Sequence, residues 1–173
     1  GVGIATRNQV DVFEQEEISK ADILFVIDNS CSMSHEQAGM AGEAENFIDD
    51  LIGAGIDFEI SVITTDSPTP VSSSITPDSA DPVGDFSRAV SVGTGGDATE
   101  MGQEMSKQAL DPVRGTIQPR EDAALSVVVV SDEDDFSPLT ELEYYDFFLS
   151  IKEEELFFFH SVISTEAGCG TAI

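Results

Sequence analysis

Apolar and polar positions along the chain alternate between two rhythms. "ADILFVID", residues 21–28, is a near-continuous apolar run bounded by polar residues, the pattern of a central parallel strand covered on both faces. "IDFEISVITTD" (56–66), "AALSVVVVSDEDD" (123–135) and "LFFFHSVIS" (156–164) read as three more buried strands, two of them ending abruptly in acids. Helical spacing fills the intervals. Ser34 with Gln37 predicts a capping box, followed by Ala44, Phe47, Ile48, Leu51 and Ile52 on one face and a stop at Gly53 and Gly55. Met101, Met105 and Ala109 mark a second helix closed by Asp111-Pro112. Ser137-Pro138 opens a third, carrying Leu142, Tyr145, Phe148, Leu149 and Lys152.

Strands separated by helix-length segments predict βαβ units: an α/β fold of three αβα layers around a doubly wound, mostly parallel sheet. At 173 residues one domain is expected, spanning 21–173, with residues 1–20 as a lead-in in which "VDVFEQ" alternates like an edge strand. The Pro-, Ser-, Asp- and Thr-rich segment from Ser67 to Asp85 predicts a long loop, a binding element or mobile lid, and "SRAVSV" after it a short strand.

Charge narrows the partners. With 34 acidic against 7 basic residues and a net charge of −27, nucleic acid and anionic membrane surfaces are disfavoured, and no apolar run approaches the ~20 residues of a membrane span. Cys31 and Cys169 lack zinc spacing and allow at most one bridge. His35 and His160 have no Ser/His/Asp spacing around them, and "GTGG" without a following Lys is a Gly-rich turn rather than a phosphate loop.

In an open α/β sheet, ligands bind at the carboxyl ends of the strands. Three polar signals fall there. Asp28-x-Ser30-x-Ser32 sends three oxygen-bearing side chains to one side when extended. Asp132 follows "VVVVS" at the end of its strand, and "GTGGDATEMG" offers Thr94, Asp97, Thr99 and Glu100 at the mouth of the second helix. Carboxylates plus hydroxyls form an oxygen-only donor set suited to a hard cation and unsuited to zinc. A cation held by so few protein oxygens keeps water positions that an outside carboxylate can take.

"DILFVIDNSCSM", "GTGGDATEMG" and "VVVVSDEDD" together resemble the von Willebrand factor A domain with its metal-ion-dependent adhesion site, closest to bacterial secreted or surface-anchored members, over roughly Asp11 to Cys169. The resemblance implies a Rossmann-like fold of that family and a non-enzymatic adhesion or protein-binding role. Its ligands would be Asp28, Ser30, Ser32 and Asp132, with a threonine from the Gly-rich loop. Thr99 is that threonine if the loop aligns directly; Asp97 is the alternative, and would add a negative charge favouring Ca²⁺ and weakening affinity for a carboxylate partner. Glu100 and Asp134 stand as further candidates. The implied cofactor is a divalent cation, Mg²⁺ first, with Ca²⁺ or Mn²⁺ as alternatives. The implied partner is a protein presenting an Asp or Glu, with no direct membrane insertion, in an extracellular, cell-surface or periplasmic setting. The oligomeric state is left open.

The chain departs from the family pattern at Cys31, where glycine is usual, and at Glu133, and it stops before the last strand and helix the family would add. Cys31 and Cys169 both fall at carboxyl-end loops, so a disulfide clamping the metal loop stands beside the alternative of two half-buried thiols. Two other function classes compete: a metal-dependent phosphatase or hydrolase using Asp28 as nucleophile, and a calcium-binding structural module with a degenerate site. An isolated Asp-x-Ser-x-Ser is by itself more often a turn and helix cap than a metal site.

Overall fold

A computed structural model describes residues 19–97 and 99–163. "VDVFEQ" and Cys169 lie outside the described residues. Four strands, β1 (Lys20–Ile27), β2 (Asp57–Thr64), β3 (Ala124–Ser131) and β4 (Phe157–Ile163), form one all-parallel sheet in the order β2-β1-β3-β4. Register is fixed by the most apolar strand: Ile27 lies opposite Thr64 on one side and Val130 on the other, so all three strands end level.

Alternation along β1 sorts the core into two layers. Ile23, Phe25 and Ile27 face α1 (Ser34–Gly42), α2 (Ala44–Gly53) and α3 (Pro82–Ala89), packing with Ile48, Phe58 and Phe86. Phe25, Phe47 and Phe86 meet there with ring centroids 5.1–5.8 Å apart. Leu24 and Val26 face α4 (Gly102–Ala109) and α5 (Glu141–Ile151), against Met105, Leu125, Val127, Tyr144 and Phe148. The expected three-layer, doubly wound α/β architecture is thus the observed one.

The amino end of the sheet is clamped by its bases. The Arg120 amide and Nε reach the Asp22 carboxylate at 2.5 and 2.7 Å, and its Nη1 reaches the Asp57 carboxylate at 3.0 Å. Lys152, only 6 % exposed, donates from Nζ to the carbonyls of Arg120 at 2.6 Å and Ala123 at 2.9 Å.

Several local expectations are corrected. The helix predicted after β1 breaks at Glu43 into α1 and α2. "SRAVSV" is not a strand: Ser87 to Ala89 finish α3, which starts because Asp81 accepts a hydrogen bond from the Gly84 amide at 3.0 Å with Pro82 in the first turn. Part of the Ser67–Asp85 segment lies along the free edge of β2. Ile60 and Ile75 exchange backbone bonds of 2.8 and 2.9 Å, and the Val71 amide donates to the Val62 carbonyl at 2.9 Å, which covers that edge and straps the loop down. Helix α5 begins at Thr140 rather than Ser137-Pro138, with a capping box between Thr140 and Glu143. Finally, β4 is not buried: it borders the sheet, with Phe158 39 % and Val162 55 % exposed. Only its start is well covered, by Phe148 stacked on Phe157 at 4.9 Å.

Candidate functional site

The site grows out of the last residues of β1 and β3. The Asp28 amide donates to the Val130 carbonyl at 2.9 Å, extending the sheet by one bond and carrying the Asp28 side chain inside, 0 % exposed. Its Oδ1 accepts from the Ser30 amide at 2.7 Å and its Oδ2 from the Ser131 hydroxyl at 2.6 Å. The turn so formed brings the Ser30 and Ser32 hydroxyls within 3.2 Å of each other, and the Ser32 hydroxyl donates to Asp132 Oδ1 at 2.9 Å. Asp28, Ser30, Ser32 and Asp132, drawn from two strand ends, therefore share one string of oxygens.

Gln37 does not cap its helix; α1 starts after Met33 without a side-chain cap. Buried instead, its Nε2 donates to the Asp28 carbonyl at 3.1 Å and to the Gly93 carbonyl at 2.8 Å, while its Oε1 accepts from the Gly93 amide at 3.1 Å. Gly93 has φ +87°, a conformation that favours glycine. Gln37 thereby ties the end of β1 to the Gly-rich loop. A second tie is the Gly96 amide on the Asn29 carbonyl at 2.8 Å; a Cβ on Gly96 would come within 2.3 Å of Asn29 Oδ1 and force that side chain to shift.

Thr99, the expected loop ligand, is exposed, and so is its alternative Asp97. Glu100 turns inward in their place and is 1 % exposed. Its Oε2 accepts from the Thr65 hydroxyl, its carbonyl accepts from the Phe136 amide at 2.7 Å, and its Oε1 is buried with no partner. Burial, only partly offset by Thr65, and the neighbouring charges of Asp28, Glu133 and Asp66 push its carboxyl up to about 7. Burial, then Asp28 and Asp132, also raise Glu133. Asp66 moves the other way: burial alone would raise it, but hydrogen bonds from Thr64, Asn29 and the Asp97 amide hold it below the usual carboxylate range.

Asp134 is exposed. Asp135 belongs to local structure, its Oδ2 accepting from the Gln103 amide at 3.0 Å at the start of α4 and its Oδ1 from the Ser137 amide at 2.7 Å. Cys31 is exposed and disulfide-bonded. The sequence places Glu100 only among the further candidates, assigns Gln37 to a helix cap and does not single out Ser131. Thr99 is exposed where Glu100 is buried, and nothing in "DATEM" decides between them in advance.

The donor set suits a hard cation. Asp28 and Asp132 supply two charges, Ser30 and Ser32 two neutral oxygens, and the orphaned Glu100 Oε1 is a buried acceptor lacking the positive charge or donor that would satisfy it. Among the described residues no three His, Cys, Asp or Glu side chains converge closely enough to hold a metal by themselves, so the hydroxyls are integral to any such site.

At the level of fold, the chain is an α/β protein with a doubly wound parallel sheet. It is similar to the solved structure of proximal thread matrix protein 1 from the mussel byssus, at 16 % identity and a TM-score of 0.50, over 84 % of this chain and 36 % of that one. The chain thus spans about a third of that protein's length. No family model matches the sequence, and no curated protein matches it at a significant level. Among the described residues, no helix is long and apolar enough to cross a membrane.

Proposed function

We propose that this chain is a non-enzymatic binding domain that holds a divalent cation at the carboxyl end of its sheet and engages a partner protein through it. The observation that supports the reading best is the oxygen string: a wholly buried Asp28 whose turn sets Ser30 and Ser32 against Asp132 from a second strand. Asp28, Ser30, Ser32 and Asp132 would hold the ion, and the ion would supply a Lewis-acidic position for a carboxylate of the partner. Glu100 sits close enough to repel Asp28 and is not replaced by a neutral threonine, which moves the expected preference from Mg²⁺ toward Ca²⁺.

Titration of the metal-stripped protein with Ca²⁺ and with Mg²⁺, followed by calorimetry and by melting temperature, tests the proposal. Saturable binding with a rise in melting temperature is expected, and it should fall at least tenfold in affinity in Ser32→Ala and in Asp132→Asn. Equal stability in EDTA and in millimolar Ca²⁺ or Mg²⁺ would overturn it.

A further inference from the structure

Beside the oxygen string lies a second hollow, about 200 Å³ in volume, between the carboxyl ends of β3 and β4 and the start of α4. Besides Asp135, whose oxygens are taken by the Gln103 and Ser137 amides, its lining carries the acids Glu100, Glu133 and Asp134 and the apolar residues Val129, Phe159 and Ile163. Glu100 is the telling member: it is 1 % exposed and its Oε1 meets no donor. Among the described residues none of these three carboxylates has an ion pair with a base, since the ion pairs of the chain engage Lys20, Arg88 and Arg120 elsewhere. Among the described residues, no base offsets the negative charge of this hollow.

We infer that the hollow receives a positively charged side chain of the partner protein, a lysine ammonium or arginine guanidinium carried on its aliphatic stem. Three features select that chemistry. The volume lies below the roughly 300–1,000 Å³ of pockets that enclose drug-sized ligands, and suits one side chain. No three acids among the described residues form a metal-holding group, so a bare ion is the poorer fit. One wall is apolar and carries the Phe159 ring, matching a side chain that lays its methylenes on apolar surface and places its cation near a ring face and carboxylates. The inference goes beyond the cation site proposed above and does not require the metal.

Nuclear magnetic resonance titration of the ¹⁵N-labelled chain in EDTA tests it, with Nα-acetyl-arginine amide and Nα-acetyl-lysine amide as probes, Nα-acetyl-norleucine amide as the neutral control and n-butylamine as the free-amine control. The charged amides should shift the backbone signals of Gln103, Glu133 and Ser161 saturably, with affinity on the order of millimolar, and norleucine amide should not. Glu100→Gln should weaken this about tenfold; Glu133→Gln, at a more accessible position, keeps the test valid should the Glu100 variant misfold, and should weaken it several-fold. Asp28→Asn should remove the divalent-cation response while leaving the arginine-amide shifts within about twofold, so failure of the metal reading is seen separately. Absent shifts, or equal shifts with norleucine amide, would overturn the proposal. n-Butylamine, the lysine side chain without its backbone, should shift the same signals, and its failure to do so where the lysine amide succeeds would overturn the assignment to a side chain.

Discussion

Glu100→Gln is expected to stabilise the metal-free protein at neutral and alkaline pH. In the folded chain burial pushes the Glu100 carboxyl up to about 7, against 4.5 for its ordinary value. The folded state therefore binds more protons than the unfolded state between those limits, and stability must fall as pH rises through them. A difference of about 2.5 units corresponds to roughly 3 kcal/mol, fully present as a penalty above pH 7 and absent below about pH 4.5. Glutamine keeps the size and the acceptor for the Thr65 hydroxyl and removes the charge, so it should recover much of that penalty. For a chain of this length, 3 kcal/mol shifts the melting temperature by about 6–12 °C. Asp66, whose carboxyl is held below its ordinary value, does not confound the window, because it is ionised in both states above pH 5. Glu133, raised in the same direction, adds to the slope of both proteins, and because its charge also acts on Glu100 the two are read together in the difference. The assay is urea unfolding followed by circular dichroism at half-unit steps from pH 4.5 to 8.5, in EDTA and low salt. The curves of wild type and variant should converge near pH 5 and diverge toward pH 8, with the variant above; parallel curves would refute the assignment of a strained, buried carboxylate.

Two other outcomes follow from the packing. Lys152→Met leaves the carbonyls of Arg120, Glu121 and Ala123 without their shared donor and should cost about 2–4 kcal/mol in urea unfolding; a change under about 0.5 kcal/mol would show that clamp to be dispensable. Gln37→Ala cuts the tie between the Asp28 carbonyl and Gly93, and should cost about 1–3 kcal/mol while weakening cation binding; unchanged cation affinity would show that the Gly-rich loop needs no anchoring.

How much of this was legible in advance depends on whether a residue's role is local. The three strand runs around the core are visible because burial on two faces leaves a continuous apolar run, and the strand ends at Asp28 and Asp132 follow directly. Capping is less transparent. Ser34 with Gln37 and Thr140 with Glu143 carry the same spacing, yet only the second forms the box. Glu143 is at the surface with its own helix start as nearest partner, whereas Gln37 is buried and finds the Asp28 carbonyl and Gly93, partners set by tertiary structure. The helix at 82–89 was hidden by Val90 and Val92, which favour strands, although Asp81-Pro82 was its start signal. "LFFFH" carries strand propensity in full but says nothing about whether a neighbour will cover both faces. At the site the same distinction holds: the spacing of Asp28, Ser30 and Ser32 is a property of one turn, while the choice of Glu100 over Thr99 depends on Thr65 and Phe136 from other segments.

The distribution of charge argues that the acidic excess is more than a solvated coat. Parallel strands give the sheet two chemically distinct ends. At the amino end Lys20, Arg120 and Lys152 are committed to Asp122, Asp22, Asp57 and the carbonyls before β3, so bases there close the fold. At the carboxyl end Asp28, Asp66, Glu100, Asp132 and Glu133 gather without a single Lys or Arg ion pair among the described residues. Helix starts lie near these acids and lower their cost, as the Asp135 contact with the Gln103 amide at the start of α4 shows, but Glu100 remains strained. A fold selected only for solubility has no reason to bury Asp28 and Glu100 or to leave a carboxylate oxygen sealed and unmatched. A fold that completes this end with positive charge from outside does, because the repulsion built into the free state becomes attraction when a cation arrives.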